Sequence, residues 1–254
     1  MICIFDVDGT LTDRATGKIV PSAKLALEKL RENNHLVCVA SGRAYYKAKK
    51  FCDENGIDTF VANGGNSLCL RGKKIYNHPL PLDSCIALLE EVEKLGYGYL
   101  LVLNDSIDVF MKDDLFLKQM GERLEPTHYI LDPSLDYHHV EAIYKIYISI
   151  PKECQNQLTT LNKLSYLRFA GDYLMIQPDA KRQGIYEMLD YIHESKDQVA
   201  VFGDDLNDLD MFNETWLKIA MGNGHPKLKE AADYVTDLNT EDGIYNACKY
   251  FHWI

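Results

Sequence analysis

The chain has 254 residues, 46% hydrophobic and 26% charged, which is typical of a globular protein with one large domain or two ordinary ones. Its formal net charge of -11 argues against nucleic acid as a partner, because proteins that bind the phosphate backbone normally carry a basic face. No apolar run approaches the roughly 18 residues of a membrane span, and the N-terminal residues show no secretory signal. The seven scattered cysteines form no C-x-x-C pair, so we expect reduced thiols and a cytoplasmic location.

The first part of the chain alternates short apolar runs with helical patterns. Runs at 2–5, 36–40 and 59–63 predict buried strands, and residues 21–33 and 43–55 predict the helices between them. Continuous apolar strands separated by helices are typical of an α/β fold, here a Rossmann-like parallel sheet with helices on both faces. The same alternation returns late in the chain, with strands predicted at 198–202, 217–221 and 233–236.

The middle of the chain is richer in hairpins. Residues 67–78 predict one hairpin around Gly72, and residues 166–177 predict another. This pattern predicts an inserted α+β domain at 79–178, which divides the α/β domain into residues 1–78 and 179–254. Its other predicted elements are a helix at 83–95, a strand pair across 97–112, a helix at 114–123, a strand at 142–150 and a helix at 152–163.

Two carboxylates follow the first predicted strand. Asp6 and Asp8 lie on the same side of an extended chain, and Gly9 lets the backbone turn away. Such carboxylates repel each other unless a cation or a proton intervenes, and one can act as a nucleophile while the other transfers protons. A polar strand-to-loop turn is the alternative, and Asp-x-Asp alone would favour it. The complete run of residues 6–10 behind a buried strand favours the chemical interpretation.

Two further segments predict an anion site. Ser41, Gly42 and Arg43 follow the second strand, where a hydroxyl group and backbone N–H groups at a helix start can bind an anion. An ordinary N-cap explains Ser41 equally well. Lys181 opens a later helical pattern, where a cation opposes the helix dipole and so weakly indicates a nearby anion. A solvated surface lysine is the alternative there.

An acidic cluster follows the strand at 198–202. Its oxygen ligands suit Mg²⁺, which takes one or two protein carboxylates and keeps several waters. An acidic helix N-terminus is the alternative, and it explains Asp205 well. Because ligands of such sheets bind beyond the carboxyl ends of the strands, we expect the cluster to lie near Asp6 and Asp8. Its members are Asp204, Asp205, Asn207 and Asp208.

These segments, in this order, resemble the four motifs of the haloacid dehalogenase-like (HAD) phosphohydrolases, and their arrangement resembles the Cof-type branch with an inserted C2-type cap. Two further stretches agree with the resemblance: residues 63–65 after the third strand and 221–223 after the strand at 217–221. Three departures from the usual pattern are Arg182 where Gly commonly follows the lysine, with Gly184 nearby, Gly65 in place of Ala, and Gly224 where Ala is common. None of them removes a catalytic group.

The resemblance implies a Mg²⁺-dependent phosphatase that hydrolyses small phosphate monoesters, with sugar phosphates as the leading guess, through an aspartyl-phosphate. Asp6 would be the nucleophile, and Asp8 the general acid and then base. The implied metal ligands are Asp6, the backbone carbonyl of Asp8, Asp204 and Asp208, the last either directly or through water. The implied phosphate ligands are Ser41, Gly42, Lys181 and Asn207.

The inserted domain is expected to set substrate specificity by closing over the site. In residues 144–150, isoleucines alternate with Lys145, Tyr147 and Ser149, so we expect one face to pack on helices and the other to face solvent. An active-site-facing surface is the alternative. The candidate substrate contacts are Arg43, Arg182, Lys145 and Tyr147.

Two competing functions share these motifs. A phosphomutase or phosphotransferase would pass the phosphoryl group to a second hydroxyl, and a non-catalytic protein would only bind a phosphorylated metabolite. The presence of Asp6, Asp8, Lys181 and Asp204 argues against the second. In either case the expected partner is a phosphorylated small molecule, and the expected state is a monomer or a small homo-oligomer.

Overall fold

The structure, a computed structural model, describes residues 1–168, 173–213 and 215–254. Every strand predicted from the sequence is confirmed in these residues, which also contain β8, a short edge strand that the sequence analysis missed. In chain order the strands are β1 (Ile2–Phe5), β2 (Leu36–Ala40), β3 (Phe60–Ala62), β4 (Ser67–Leu70), β5 (Lys73–Asn77), β6 (Tyr99–Val102), β7 (Asp108–Met111), β8 (His128–Leu131), β9 (Lys145–Ile148), β10 (Tyr166–Arg168), β11 (Leu174–Ile176), β12 (Val199–Gly203), β13 (Leu217–Ala220) and β14 (Tyr234–Val235).

The α-helices in the described part of the chain cover the sheets. Short 3₁₀ helices also occur, and four of them matter below: Asn63–Gly65, Lys152–Gln157, Thr159–Lys163 and Leu206–Asp208. In chain order the α-helices are α1 (Pro21–Glu32), α2 (Tyr45–Glu54), α3 (Leu82–Lys94), α4 (Leu115–Met120), α5 (Lys181–Ile192), α6 (Pro226–Ala231) and α7 (Gly243–Tyr250).

The chain divides into two compact units. The first comprises Met1–Asn77 and Ala180–Ile254, and the second comprises His78–Asp179. The boundaries expected from the sequence, after residues 78 and 178, lie one residue from these junctions.

The first unit contains an eight-stranded sheet in the order β14-β13-β12-β1-β2-β3-β4-β5. Its strands are parallel from β14 to β3, and β4 and β5 add an antiparallel hairpin at one edge. Cys3 and Phe5 of β1 belong to the apolar cluster that includes residues of α1, α2 and α7. Ile2 and Ile4 belong to the opposite cluster, which includes residues of α5. Helices therefore cover both faces, which explains why the strands are continuously apolar and confirms the predicted α/β fold.

The turn of the β4–β5 hairpin lies at Arg71 and Gly72. Both residues have positive φ angles, 49° and 76°. A two-residue turn with positive φ at both positions matches the twist of the flanking strands. This hairpin was predicted around Gly72 and is confirmed.

The second unit contains a six-stranded sheet in the order β10-β11-β9-β6-β7-β8. Its strands are antiparallel, except that β7 and β8 are parallel. The turn of the predicted hairpin at 166–177 falls partly on residues 169–172, outside the described residues.

The solvent-facing surface expected on β9 is wrong. Ile146 and Ile148 pack in the cluster that includes residues of α3, as expected. Tyr147 is also buried, because a second apolar cluster with residues of β6, β7 and α4 covers that face. Lys145 is buried too, with its Nζ donating to Gln177 Oε1 at 2.8 Å, and Ser149 donates through Oγ to the Gly98 carbonyl at 3.0 Å.

Residues 152–163 form two 3₁₀ helices instead of the predicted helix. The chain is extended at Leu158, which separates Lys152–Gln157 from Thr159–Lys163. Leu158, Leu161 and Leu164 are buried. Their spacing of three residues matches the three residues per turn of a 3₁₀ helix, which places them on one side.

All seven cysteines are free, and six of them are buried, as expected for Cys3 and Cys38. Among the described residues, no helix has the length and apolar character that crossing a bilayer requires.

Candidate active site

Asp6 begins the site at the carboxyl end of β1. Its backbone N–H donates to the Phe202 carbonyl at 2.9 Å, which extends the pairing of β1 with β12 by one residue. The side chain is only 5% exposed. The strand pairing therefore holds a carboxylate among buried groups at the end of the parallel sheet.

Lys181 joins two of the acidic side chains. Its Nζ lies 2.6 Å from Asp6 Oδ1 and 2.6 Å from Asp208 Oδ1, and its side chain is 1% exposed. A lysine in the first turn of α5 opposes the helix dipole, and these two carboxylates are the anions that stabilise it there. The ion pairs link β1, α5 and the loop after β12.

Asp208 also orders the loop after β12. Its Oδ2 accepts hydrogen bonds from the backbone N–H groups of Asp204 at 2.9 Å and Asp205 at 3.1 Å. Asp205 caps the 3₁₀ helix Leu206–Asp208 in return. Carboxylate oxygens of Asp6, Asp204 and Asp208 consequently lie within 4.8 Å of one another, all buried, as the motif order predicted for one rim of the sheet.

The electrostatics of this cluster reflect an excess of negative charge. Burial raises the pKa of Asp6 to about 8, with Asp208 acting in the same direction and Lys181 opposing both. Burial also raises the pKa of Asp204 to about 6, against the effect of Arg14. Burial alone would lower the pKa of Lys181, but Asp208 and Asp6 raise it well above its usual value. The cluster thus lacks positive charge, which an additional cation could supply.

Two glycines make the close approach of these loops possible. Gly9 has a φ of 95°, and a Cβ atom there would lie 2.2 Å from Asp204 Oδ2. A Cβ atom on Gly203 would lie 2.7 Å from the Cβ of Asp208. Any side chain at either position would push the acidic groups apart.

Asp8 differs from Asp6 in exposure and in partner. Its side chain is 58% exposed and accepts two hydrogen bonds from Arg43, from Nε at 2.9 Å and from Nη2 at 2.6 Å. Ser41 is 1% exposed, and its Oγ accepts from the Arg43 N–H at 3.2 Å. The Ser41–Arg43 segment therefore lies beside the first motif. The pairing of Arg43 with Asp8 was not foreseen, and a contact of Arg43 with substrate stays a prediction.

Asn63 follows β3 beside this segment. Its N–H donates to the Arg43 carbonyl at 2.7 Å, and its φ of 49° is left-handed. The side chain is 3% exposed, and its Oδ1 has no hydrogen-bond partner. A buried oxygen of this kind is an acceptor that a ligand hydroxyl group can satisfy.

The glycines after Asn63 anchor the start of α5. The Ala180 N–H donates to the Gly64 carbonyl at 2.7 Å, and a Cβ atom on Gly65 would lie 2.1 Å from the Ala180 carbonyl oxygen. A Cβ atom on Gly184 would lie 2.9 Å from the Gly65 Cα. The two departures from the family pattern at 65 and 184 are therefore matched to each other, since both allow α5 to approach this loop.

Sequence reasoning missed Arg14. Its Nη2 lies 2.8 Å from Asp204 Oδ2 and 3.0 Å from Asp205 Oδ2. Thr10, quoted only as part of the motif, donates through Oγ1 to Asp204 Oδ1 at 3.2 Å. An arginine in a polar turn is usually solvated, so nothing in the sequence distinguished Arg14 from other surface cations.

A chain of amides fixes the loop that carries Thr10. Asn223 donates through Nδ2 to the Gly9 carbonyl at 2.8 Å and accepts at Oδ1 from the Asn239 N–H at 2.9 Å. Asn239 donates in turn to the Thr12 carbonyl at 2.9 Å. The stretch at 221–223, which supported the family resemblance, thus supports the first motif directly.

The remaining candidates lie in less central positions. Asn207 is half-buried in the 3₁₀ helix Leu206–Asp208, and Gly42 lies between Ser41 and Arg43. The N–H of Arg182 donates to Asp210 Oδ2 at 2.8 Å, and its Nε lies 3.4 Å from Asp210 Oδ1. Lys145 and Tyr147 belong to the second unit. Roles in substrate or phosphate binding stay predictions for all of these residues.

Comparisons with known proteins agree with this site. The model of the haloacid dehalogenase-like hydrolases matches residues 3–248. A Bacillus subtilis (strain 168) relative, "Putative phosphatase YkrA", is 28% identical over 98% of this chain and 96% of its own length. "5-Amino-6-(5-phospho-D-ribitylamino)uracil phosphatase YitU", from the same strain, is 24% identical over 97% of this chain and 95% of its own length.

A solved structure described as a HAD subclass IIB sugar phosphatase has the same fold. It superposes with a TM-score of 0.79 at 24% identity, covering 100% of this chain and 99% of that one. The chain belongs to the haloacid dehalogenase-like hydrolase family. Within that family it is an enzyme of the phosphatase class that hydrolyses phosphoric monoesters.

Proposed function

We propose that this enzyme is a Mg²⁺-dependent phosphatase that hydrolyses sugar and sugar-alcohol phosphates through an aspartyl-phosphate on Asp6. The observation that carries the proposal is the buried cluster of Asp6, Lys181, Asp204 and Asp208 at the end of the parallel sheet. A buried carboxylate held by a lysine beside two further carboxylates suits both nucleophilic attack and cation binding.

The donor set fits Mg²⁺. Hard carboxylate oxygens from Asp6, Asp204 and Asp208 lie within 4.8 Å of one another, and the raised pKa values of Asp6 and Asp204 indicate too little positive charge among them. Asp6 and Asp204 would bind the ion directly, with the backbone carbonyl of Asp8, while Asp208 would bind it directly or through water. A bound Mg²⁺ would supply charge neutralisation between Asp6 and the incoming phosphate.

The chain's own groups account for the chemical steps. A carboxylate oxygen of Asp6 attacks phosphorus, the bond to the ester oxygen breaks, and Asp8 gives its proton to the leaving oxygen. Asp8 then takes a proton from water, whose oxygen attacks the aspartyl-phosphate and releases inorganic phosphate and the Asp6 carboxylate. The exposure of Asp8, 58% for its side chain, suits a group that exchanges protons with water and with the leaving group.

Phosphate binding falls to groups around this nucleophile. Lys181 would move from bridging two carboxylates to sharing its charge with the phosphate, and Ser41 would donate through its hydroxyl group. Gly42 would donate its N–H, and Asn207 its side-chain amide. Positioning and charge neutralisation are the main contributions in phosphoryl transfer.

Two observations favour a polyol substrate. The relative YitU is named for a phosphorylated ribityl compound. In this chain the unpartnered Oδ1 of Asn63 is an acceptor suited to a sugar hydroxyl group. We further propose that the inserted domain sets specificity and that the enzyme works in the cytoplasm, where its seven free cysteines would stay reduced.

A phosphate-release screen tests the proposal. The panel comprises hexose, pentose and ribityl phosphates, nucleotides, and flavin and pyridoxal phosphates, each with Mg²⁺ and with a chelator. We expect release of inorganic phosphate from polyol phosphates without an added acceptor, and its loss with the chelator. Release that requires an acceptor alcohol would instead identify a phosphotransferase, and undiminished release with the chelator would refute the metal requirement.

A further inference from the structure

Arg14 lies against the acidic cluster in a way that the proposed chemistry does not require. Its Nη2 bridges Asp204 Oδ2 at 2.8 Å and Asp205 Oδ2 at 3.0 Å. The Asp204 side chain is 2% exposed, whereas that of Arg14 is 57% exposed. The arginine therefore reaches a buried carboxylate from solvent and can withdraw without disturbing the core.

The surrounding backbone presents Arg14 to this position. The loop after Asp13 closes on itself, since Gly17 donates its N–H to the Asp13 carbonyl at 2.8 Å and Ala15 donates to Asp13 Oδ1 at 2.9 Å. A Cβ atom on Gly9 would lie 2.4 Å from Arg14 Nε. The glycine of the first motif thus leaves space for the guanidinium group as well as for Asp204.

We propose that Arg14 is a displaceable counter-ion that occupies Asp204 in the metal-free enzyme and so weakens the binding of Mg²⁺. Both oxygens of Asp204 already accept hydrogen bonds, Oδ1 from Thr10 at 3.2 Å and Oδ2 from Arg14. A divalent cation at this carboxylate meets the repulsion of the guanidinium charge and competes with its hydrogen bond. Arg14 therefore sets the metal concentration at which the site fills, and it acts through Asp204 as a positioning residue.

Direct metal binding tests this role, which rests on the proposed Mg²⁺ site. Wild-type protein, Arg14→Gln and Lys18→Gln are stripped with a chelator, dialysed and titrated with MgCl₂ by calorimetry at constant ionic strength. Lys18 is a matched control, because it lies in the same loop and its replacement removes the same charge. We expect Arg14→Gln to bind Mg²⁺ about three- to tenfold more tightly, the range for loss of a partly exposed cation near a second cation. Lys18→Gln should stay within about twofold of wild type, because more distant surface charges are screened.

A second measurement separates competition from simple structural support. Without metal, Arg14→Gln should melt at a lower temperature than wild type, and saturating Mg²⁺ should reduce that difference. Arg14→Lys keeps the charge and should bind Mg²⁺ less tightly than Arg14→Gln. Unchanged or weaker Mg²⁺ binding by Arg14→Gln, or equal tightening in Lys18→Gln, would overturn the inference. Failure of the wild-type protein to bind Mg²⁺, or undiminished binding by Asp204→Asn, would instead refute the proposed metal site.

Discussion

Replacement of the nucleophile should abolish turnover and, without metal, stabilise the protein at alkaline pH. The pKa of Asp6 is raised from 3.8 to about 8, chiefly by burial, so the folded protein retains a proton that the unfolded chain releases. Stability therefore falls as pH rises from the lower value towards the upper one. At 1.36 kcal/mol per pKa unit, this rise corresponds to about 6 kcal/mol once Asp6 is ionised.

Asn at position 6 cannot ionise and escapes this penalty. It also gives up the ion pair between Asp6 and Lys181, and weakening a hydrogen bond to a charged group costs about 1.5–3 kcal/mol. The net gain in the free energy of unfolding should be about 3 kcal/mol, which raises the melting temperature by about 6–12 °C in a chain of this length. Near pH 5 both proteins are neutral at this position, and the difference should nearly vanish.

The assay is thermal unfolding of wild type and Asp6→Asn in chelator at about pH 5 and about pH 9, paired with a phosphate-release measurement in Mg²⁺. Asp8→Asn is the control, because its side chain is 58% exposed and its pair with Arg43 contributes at most about 1 kcal/mol. That variant should lose turnover without the alkaline gain in stability. An Asp6→Asn protein that is less stable than wild type near pH 9 would contradict the electrostatic reasoning, and residual turnover would contradict the nucleophile assignment.

Two further substitutions probe the rest of the structure. Gly9→Ala should remove turnover and lower stability by about 1–3 kcal/mol, because a φ of 95° is strained for alanine and its Cβ would lie 2.2 Å from Asp204 Oδ2; near-normal phosphate release and melting would disprove this. Burial alone would raise the pKa of Glu91, but hydrogen bonds from Thr160 and Thr159 lower it to about 2, so its contribution to stability is present above pH 4.5 and is lost as pH falls through the lower value. Glu91→Gln should therefore lower the free energy of unfolding in urea by about 1 kcal/mol at neutral pH, after allowance for solvent screening, and the difference should shrink near pH 3. A difference that stays constant between these pH values would rule out this role for the Glu91 charge.

Most strands were predictable because their apolar runs are a local property of the chain. The edge strand β8 was missed because three of its neighbours in sequence are polar and it is not buried on both faces. The helix expected at 152–163 became two 3₁₀ segments, since Leu158, Leu161 and Leu164 recur every third residue and Glu91 binds the N–H groups of Thr159 and Thr160. Such details depend on contacts with a helix far away in the sequence.

The sequence by itself determined the family, the parallel sheet and the rim where its motifs meet. It could do so because strand periodicity is local and the carboxyl ends of parallel strands converge at one edge. Only the tertiary structure decided which charges pair there: Lys181 with Asp6 and Asp208, Arg43 with Asp8, and Arg14 with Asp204. These pairs join residues between 27 and 190 positions apart, and their partners are set by loop geometry that glycines such as Gly9 permit. Spacing along the chain carries no information about such contacts, because ion pairing depends on distance and burial after folding.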